Sequence, residues 1–243
     1  MTVAIVRQEI ECDGFVVMPQ VLSVEEVDAL AAAISGLTDD IRVQGRGGTR
    51  GLLQMVSAVR ALASDSAVNA AAVGALGSDC FAVRALLFDK TPAANWKVAW
   101  HQDLTIAVRA RREVEGYGPW SVKAGVPHVQ PPVSVLERMV AVRVHLDDCG
   151  PDNGPLRVLP GSHRAGCLRA PEIGAWREQV AEVSCIVPSG GLLVMRPLLL
   201  HASSPANNPA HRRVIHIEYA AVALAGGLEW CESWGHAATS PSA

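Results

Sequence analysis

His101-Gln102-Asp103 and the distant His201 supply two imidazoles and a carboxylate. That is the ligand set of the facial triad, which holds non-haem Fe(II) while leaving coordination positions open for chemistry. Side chains at i and i+2 of a β-strand stand on one face, so His101 and Asp103 can reach one ion while Gln102 points away. The third ligand has to arrive from another element. His201 ends the apolar run Leu198-Leu199-Leu200, which reads as a buried strand with a polar residue at its tip. Beyond a turn-rich stretch, residues 203–210, Arg212 opens a further apolar strand, and its guanidinium suits an acidic cosubstrate beside the metal.

A second pair competes for this role. His145-Leu146-Asp147 lies in the strand-like run 140–146 and also precedes His201, so spacing alone leaves two candidate ligand pairs. Alternation puts Arg143, His145 and Asp147 on one face of that run and Val142, Val144 and Leu146 on the other. The apolar face packs into a core, and the polar face looks into a wet cavity or out to solvent, because an unpaired buried arginine is costly. In the last strand Arg212, Val214, His216 and Glu218 share a face; a register slip of one residue would put Arg213 in the place of Arg212. Arg84 and Lys90, on the strand leading to the first pair, point inward by parity, with surface charge at strand ends as the alternative.

The elements that must position these residues change character along the chain. Gly14 to Met18 reads as a short strand. Ser23, with Glu26 three residues on, forms a capping box for a helix running to about Ser35, and 52–76 reads as one or two helices. From about residue 80, short β-branched runs alternate with turn residues. Candidate strands are 81–88, 98–101, 104–108, 140–146, 156–159, 183–187, 192–195, 198–201 and 213–222. The expected fold is mainly β with flanking helices: a double-stranded β-helix, the cupin-like jelly-roll whose two sheets can enclose a metal. Glu113 to Pro132, rich in Gly and Pro and containing Trp120, reads as a long loop and a candidate lid. No linker divides the chain, so one domain is expected over 1–243, with a helical part at about 20–76 and a β core at about 80–222.

Composition narrows the function. With 243 residues, 49% hydrophobic and 19% charged, the chain suits a soluble enzyme with a sizeable core. It holds no apolar run of about 18 residues, so no membrane partner is expected. An acidic interruption in the first residues argues against a secretory signal and for a cytoplasmic location. Six cysteines without CxxC spacing read as free thiols in a reducing compartment, where ferrous iron also persists. A net charge of −3 gives no basic field for nucleic acid, and Arg109, Arg111 and Arg112 read as a solvated loop. The expected partner is a free small molecule.

Longer segments tie the motifs together. LFDKTPAANWKVAWHQDLTIAV surrounds His101, LDDCGPDNGPLRVLPGSHR follows the second pair, and RPLLLHASSPANNPAHRRVIHIEYA holds His201 and Arg212, all preceded by DGFVVMPQVLSVEEVDAL. In this order they resemble the phytanoyl-CoA dioxygenase family of Fe(II)/2-oxoglutarate oxygenases, over roughly residues 10 to 222. The resemblance implies that W-H-x-D supplies His101 and Asp103 as ligands and that 153–164 forms a structural hairpin. It further implies His201 as the third ligand, with Ser203 and Arg212 in the cosubstrate clamp. Lys90 matches a family position near the cosubstrate, the strand carrying Arg143 lines the cosubstrate pocket, and Arg84 is a candidate substrate contact. The chain departs from the pattern at Val214, where many such oxygenases carry Ser or Thr two residues after the clamp arginine; this shifts weight to Ser203. The implied activity uses Fe(II), 2-oxoglutarate and O₂ to hydroxylate a small-molecule substrate, releasing succinate and CO₂, with no catalytic residue beyond the metal ligands. Asp103 stands where related halogenases lack the carboxylate, which favours hydroxylation; desaturation, ring formation and epoxidation use the same oxidant. The alternative is a non-catalytic cupin-like protein that binds a metal or a small molecule.

Overall fold

Period-two alternation along the β-strands creates two apolar faces and one polar one, and the architecture follows from where each is covered. The computed structural model of the chain describes residues 2–35, 48–64, 66–208 and 210–235; His236 lies outside them. The strands are β1 (Phe15–Met18), β2 (Thr49–Arg50), β3 (Phe81–Lys90), β4 (Val98–His101), β5 (Ile106–Ala107), β6 (Trp120–Lys123) and β7 (Val126–Val129). They continue with β8 (Met139–His145), β9 (Leu156–Val158), β10 (Val183–Cys185), β11 (Leu192–Met195), β12 (His201–Ser203) and β13 (Arg212–Ala220). A six-stranded sheet runs β1-β11-β8-β13-β3-β2 and a four-stranded sheet runs β10-β9-β12-β4. Neighbours within both sheets are antiparallel, the paired-sheet pattern of a jelly-roll.

One face of the large sheet is covered by helices. Val140, Val142 and Val144 of β8 and Ile215 and Ile217 of β13 pack with Val6, Ile10, Leu30, Ile34 and Leu62. The other face looks at the small sheet, where Ala141, Leu193 and Met195 meet Leu156, Val158 and Cys185. The in-between residues Arg143, Arg212, His216 and Glu218 are therefore carried into the space between the sheets. The expected mainly-β fold with flanking helices is the fold observed.

Local details agree with the chemistry of the sequence or correct it. Ser23 caps the helix Val24–Ser35 reciprocally: its backbone N–H donates to Glu26 Oε2 at 2.7 Å and its Oγ accepts from the Glu26 N–H at 3.2 Å. The region 52–76 forms three helices, Leu52–Met55, Ser57–Ser64 and Ser66–Leu76, rather than one or two. Helix Val3–Cys12, which buries Val6 and Ile10, and helix Ala170–Gln179, which buries nothing, were not anticipated. Leu198 to Leu200 are buried but form a turn, closed by Leu199 N–H donating to the Arg196 carbonyl at 3.1 Å, and the strand starts at His201. An apolar run reports burial, not extension, and Pro197 begins the turn. Residues 113–132 are not a structureless loop: β6 and β7 pair across a turn at Ala124-Gly125, both at positive φ, and β7 also pairs with β5. The expected hairpin at 153–164 is instead β9 followed by a 3₁₀ turn, with β9 paired to β10 and β12. All six cysteines are free.

Candidate metal centre and its cavity

Three ligand atoms converge where the small sheet meets the interior. In the register of β12 and β4, His201 is paired with His101, and their ring centroids lie 4.2 Å apart. Asp103 sits just past the end of β4; one carboxylate oxygen is 3.7 Å from His101 Nε2 and the other 3.6 Å from His201 Nε2. Among the described residues this is the one His/Cys/Asp/Glu group of three or more whose ligand atoms all lie within 4.8 Å of one another. Ligands about 2.1 Å from an ion and at right angles stand about 3 Å apart, so the two imidazole-to-carboxylate separations lie within about an ångström of those that a first-row metal would impose.

The tautomers favour this use. His101 Nδ1 lies 2.9 Å from the Ala99 carbonyl and His201 Nδ1 2.9 Å from that of Leu199. A carbonyl can only accept, so each Nδ1 carries its hydrogen and each Nε2 offers a lone pair inward. Burial pushes the His201 imidazole down to about 4 against the opposing pull of Asp103. At Asp103 burial works upward, but the His201, His216, His101 and Arg84 side chains outweigh it and hold the carboxyl at about 2. Both are therefore deprotonated at neutral pH. His101 and Asp103 keep 40% and 34% of their side-chain surface exposed, which leaves one side of the centre open.

Gln102 points away from the ligands and ties the two ligand segments together. Its Nε2 donates to the carbonyls of Leu198 at 2.6 Å and Gly166 at 2.8 Å, and its Oε1 accepts from the Leu168 N–H at 2.8 Å. The Asp103 N–H donates to the Pro197 carbonyl at 2.9 Å, a second link between the segment holding two ligands and the turn preceding the third.

The centre opens into a cavity of about 230 Å³ between the sheets. Lys90, fully buried, donates to Ser203 Oγ at 3.0 Å and to the Ser204 carbonyl at 2.5 Å; burial and the Arg212 and Arg143 charges push its ammonium down to about 8. Arg212 lines the cavity and donates to the Gly154 carbonyl. Gly154 has a φ of +58°, and a Cβ there would lie 2.5 Å from the Ser204 carbonyl, so only glycine lets this turn approach the guanidinium. Arg143 stands 3.0 Å from His216 Nδ1 and over the Phe88 ring at 5.3 Å; burial and Arg212 push it down to about 10. Neither Arg143 nor Arg212 has a carboxylate partner among the described residues, and the Nε of each is buried without a hydrogen bond. Arg84 is on the cavity wall rather than at the surface, with its charge engaged by Glu218, which also lies 3.3 Å from His216 Nε2.

The structure thus brings together His101, Asp103, His201, Ser203, Lys90, Arg143, Arg212 and Arg84. It separates the competing pair. Asp147 is bound by Arg213, at 2.9 Å from its Nε and 2.6 Å from its Nη2, and so cannot share an ion with His145, whose two ring nitrogens are buried without partners. Arg213 therefore faces away from the cavity and Arg212 into it. His216 is both a lining residue and a hydrogen-bonded one. Arg50 and Lys123 also line the cavity and were not singled out in the sequence: Arg50 sits on a two-residue strand and Lys123 in the segment read as a loop. A larger cleft of about 350 Å³, lined by Ile10, His163 and Arg196, gathers no comparable ligand set.

Comparisons with known proteins bear on the family and the fold. The family model described as phytanoyl-CoA dioxygenase matches residues 10–214. An ectoine dioxygenase of Stutzerimonas stutzeri (strain A1501) is 25% identical over 169 residues, covering 65% of this chain and 49% of that protein. One from Nocardia farcinica (strain IFM 10152) is 27% identical over 191 residues, covering 73% and 57%. The chain thus spans about half the length of these curated relatives. The crystal structure of EctD from S. alaskensis with bound Fe superimposes with a TM-score of 0.67 at 20% identity, over 88% of this chain and 75% of that one, a likeness of fold. No helix among the described residues is long and apolar enough to cross a membrane.

Proposed function

The chain belongs to the phytanoyl-CoA dioxygenase family, and from that premise we propose that it is an Fe(II)- and 2-oxoglutarate-dependent dioxygenase acting on a small molecule, most simply by hydroxylation. His101, Asp103 and His201 hold the iron. When bound, iron and 2-oxoglutarate together supply the oxidising chemistry, consuming O₂ and releasing succinate and CO₂. The chain's own part is to hold and orient. The Leu199 and Ala99 carbonyls fix the ligand imidazoles, and Gln102 keeps the two ligand segments at a set separation.

The observation that carries this reading is the pairing of a metal-ligand cluster with cations lacking anions. Arg143 and Arg212 are buried beside Lys90 without a carboxylate partner among the described residues. Uncompensated buried charge is expensive, so the cavity is built for an anion, and a dicarboxylate that reaches from the metal to these cations satisfies both. Ser203, held by Lys90 at 3.0 Å, is placed to add a hydroxyl contact. Arg84, tied to Glu218, faces the substrate side.

The test is succinate formation from 2-oxoglutarate in the presence of Fe(II), ascorbate and O₂ across a metabolite library. The reading requires turnover above the rate of a His201→Ala variant. A metal-loaded protein that binds but never consumes 2-oxoglutarate would instead be a cupin-like binder.

A further inference from the structure

The charge at the open end of the cavity is not balanced by anything already assigned. Among the described residues five cationic side chains line the cavity, Arg50, Arg84, Lys123, Arg143 and Arg212, with Lys90 buried behind Ser203, against the two carboxylates of Asp103 and Glu218. On the proposed function, a divalent ion and a dianionic cosubstrate neutralise one another and leave this surplus as it stands. Lys90, Arg143 and Arg212 surround the cosubstrate end. At the other end Arg84 has Glu218. That leaves Arg50 and Lys123.

These two come from separate elements, β2 and β6, that converge on the same space. Lys123 Nζ donates to Thr105 Oγ1 at 3.0 Å, a neutral partner. The Arg50 side chain makes no hydrogen bond or ion pair to a described residue. Burial and the charges of Arg84 and Arg50 lower the Lys123 ammonium, and burial with Arg84 lowers Arg50, so each feels the other side's cations more than any anion. Among the described residues the further acid on this side is Glu232, near Arg84. It is buried and pushed up to about 7, which leaves it a weak counter-charge. Two half-buried cations on separate strands, both lining the cavity, offer an oxyanion a guanidinium fork for two-point contact and an ammonium for a third.

We infer that the substrate of this enzyme is an organic acid whose carboxylate is received by Arg50 and Lys123, opposite the cosubstrate cations, with its reacting carbon over the open side of the metal centre. This inference rests on the proposed function and adds the substrate class. Within about 230 Å³ shared with the cosubstrate, the enclosed part of such a substrate is small.

The experiment first loads the protein anaerobically with Mn(II) and 2-oxoglutarate, which fills the cosubstrate end. It then measures binding of benzoate and hexanoate against benzamide and hexanamide by calorimetry and thermal shift. The acids should bind saturably and the amides at least about 10-fold more weakly, the loss expected when a charge-assisted hydrogen bond is removed. Arg50→Gln and Lys123→Gln should each weaken the acids by about 10-fold while 2-oxoglutarate affinity stays within about twofold. Amides that match the acids, acids that fail to bind, or acid binding indifferent to both substitutions would overturn the inference. Failure of the loading step would instead overturn the proposed function, so the two are told apart.

Discussion

Gln102 offers the sharpest link between fold and site, because it touches neither metal nor cavity yet fixes the ligand geometry. It is 6% exposed and makes three hydrogen bonds of 2.6 to 2.8 Å to backbone groups around residues 166, 168 and 198. A net value of about 1 kcal/mol per bond sets the loss on Gln102→Ala at about 3 kcal/mol. That is a large share of a typical total stability of about 5–15 kcal/mol. Urea unfolding of the metal-free protein reads this as a lower midpoint at unchanged slope. Because the same bonds set the distance between the segment bearing His101 and Asp103 and the turn before His201, Fe(II) affinity should also fall, by about 10- to 100-fold. Gln102→Glu, which keeps the size but removes both amide donations, should reproduce the affinity loss. An alanine variant within about 0.5 kcal/mol of the parent and with parental iron affinity would refute the argument that this amide joins the two segments.

Other outcomes follow from the same geometry. Arg212→Ala should weaken 2-oxoglutarate by about 10- to 100-fold while Fe(II) affinity, read by anaerobic titration, changes far less; equal losses would make the residue structural. His145→Ala and Asp147→Ala should leave Fe(II) affinity within about twofold, and Asp147→Ala should cost about 1 kcal/mol through its half-buried pair with Arg213; loss of iron in either variant would move the centre. His128 is buried and pushed down to about 4 by desolvation, so on acidification the unfolded chain takes up its proton first and the folded state loses stability from about pH 6.5 to about pH 4. Thermal unfolding of the metal-free His128→Gln variant should therefore fall less steeply than the parent across that window, and parallel curves would contradict it.

What was legible in the sequence divides along physical lines. The alternation of β8 and β13 placed Arg143, Arg212 and His216 on one face because a strand's period is fixed by the backbone, and the observed register keeps it. The strand at 98–101 and the capping box at Ser23 were readable because their signals are local. Competition between the two H-x-D pairs was not decidable by spacing, since the deciding fact is tertiary: Arg213 claims Asp147, and β12 pairs with β4. Arg50 and Lys123 were invisible for the same reason, as nothing in a two-residue strand or a glycine-rich hairpin announces which cavity it will border. The helix Val3–Cys12 was missed because only Val6 and Ile10 of it are buried, with Arg7, Gln8 and Glu9 between them, so its apolar stripe is short.

The most direct measurement is a crystal structure of the protein grown anaerobically with Fe(II) and 2-oxoglutarate. The account predicts one metal bound by Nε2 of His101, Nε2 of His201 and a carboxylate oxygen of Asp103, with the cosubstrate's far carboxylate among Lys90, Ser203, Arg143 and Arg212. A metal at His145, or a cosubstrate bound away from these cations, would contradict it.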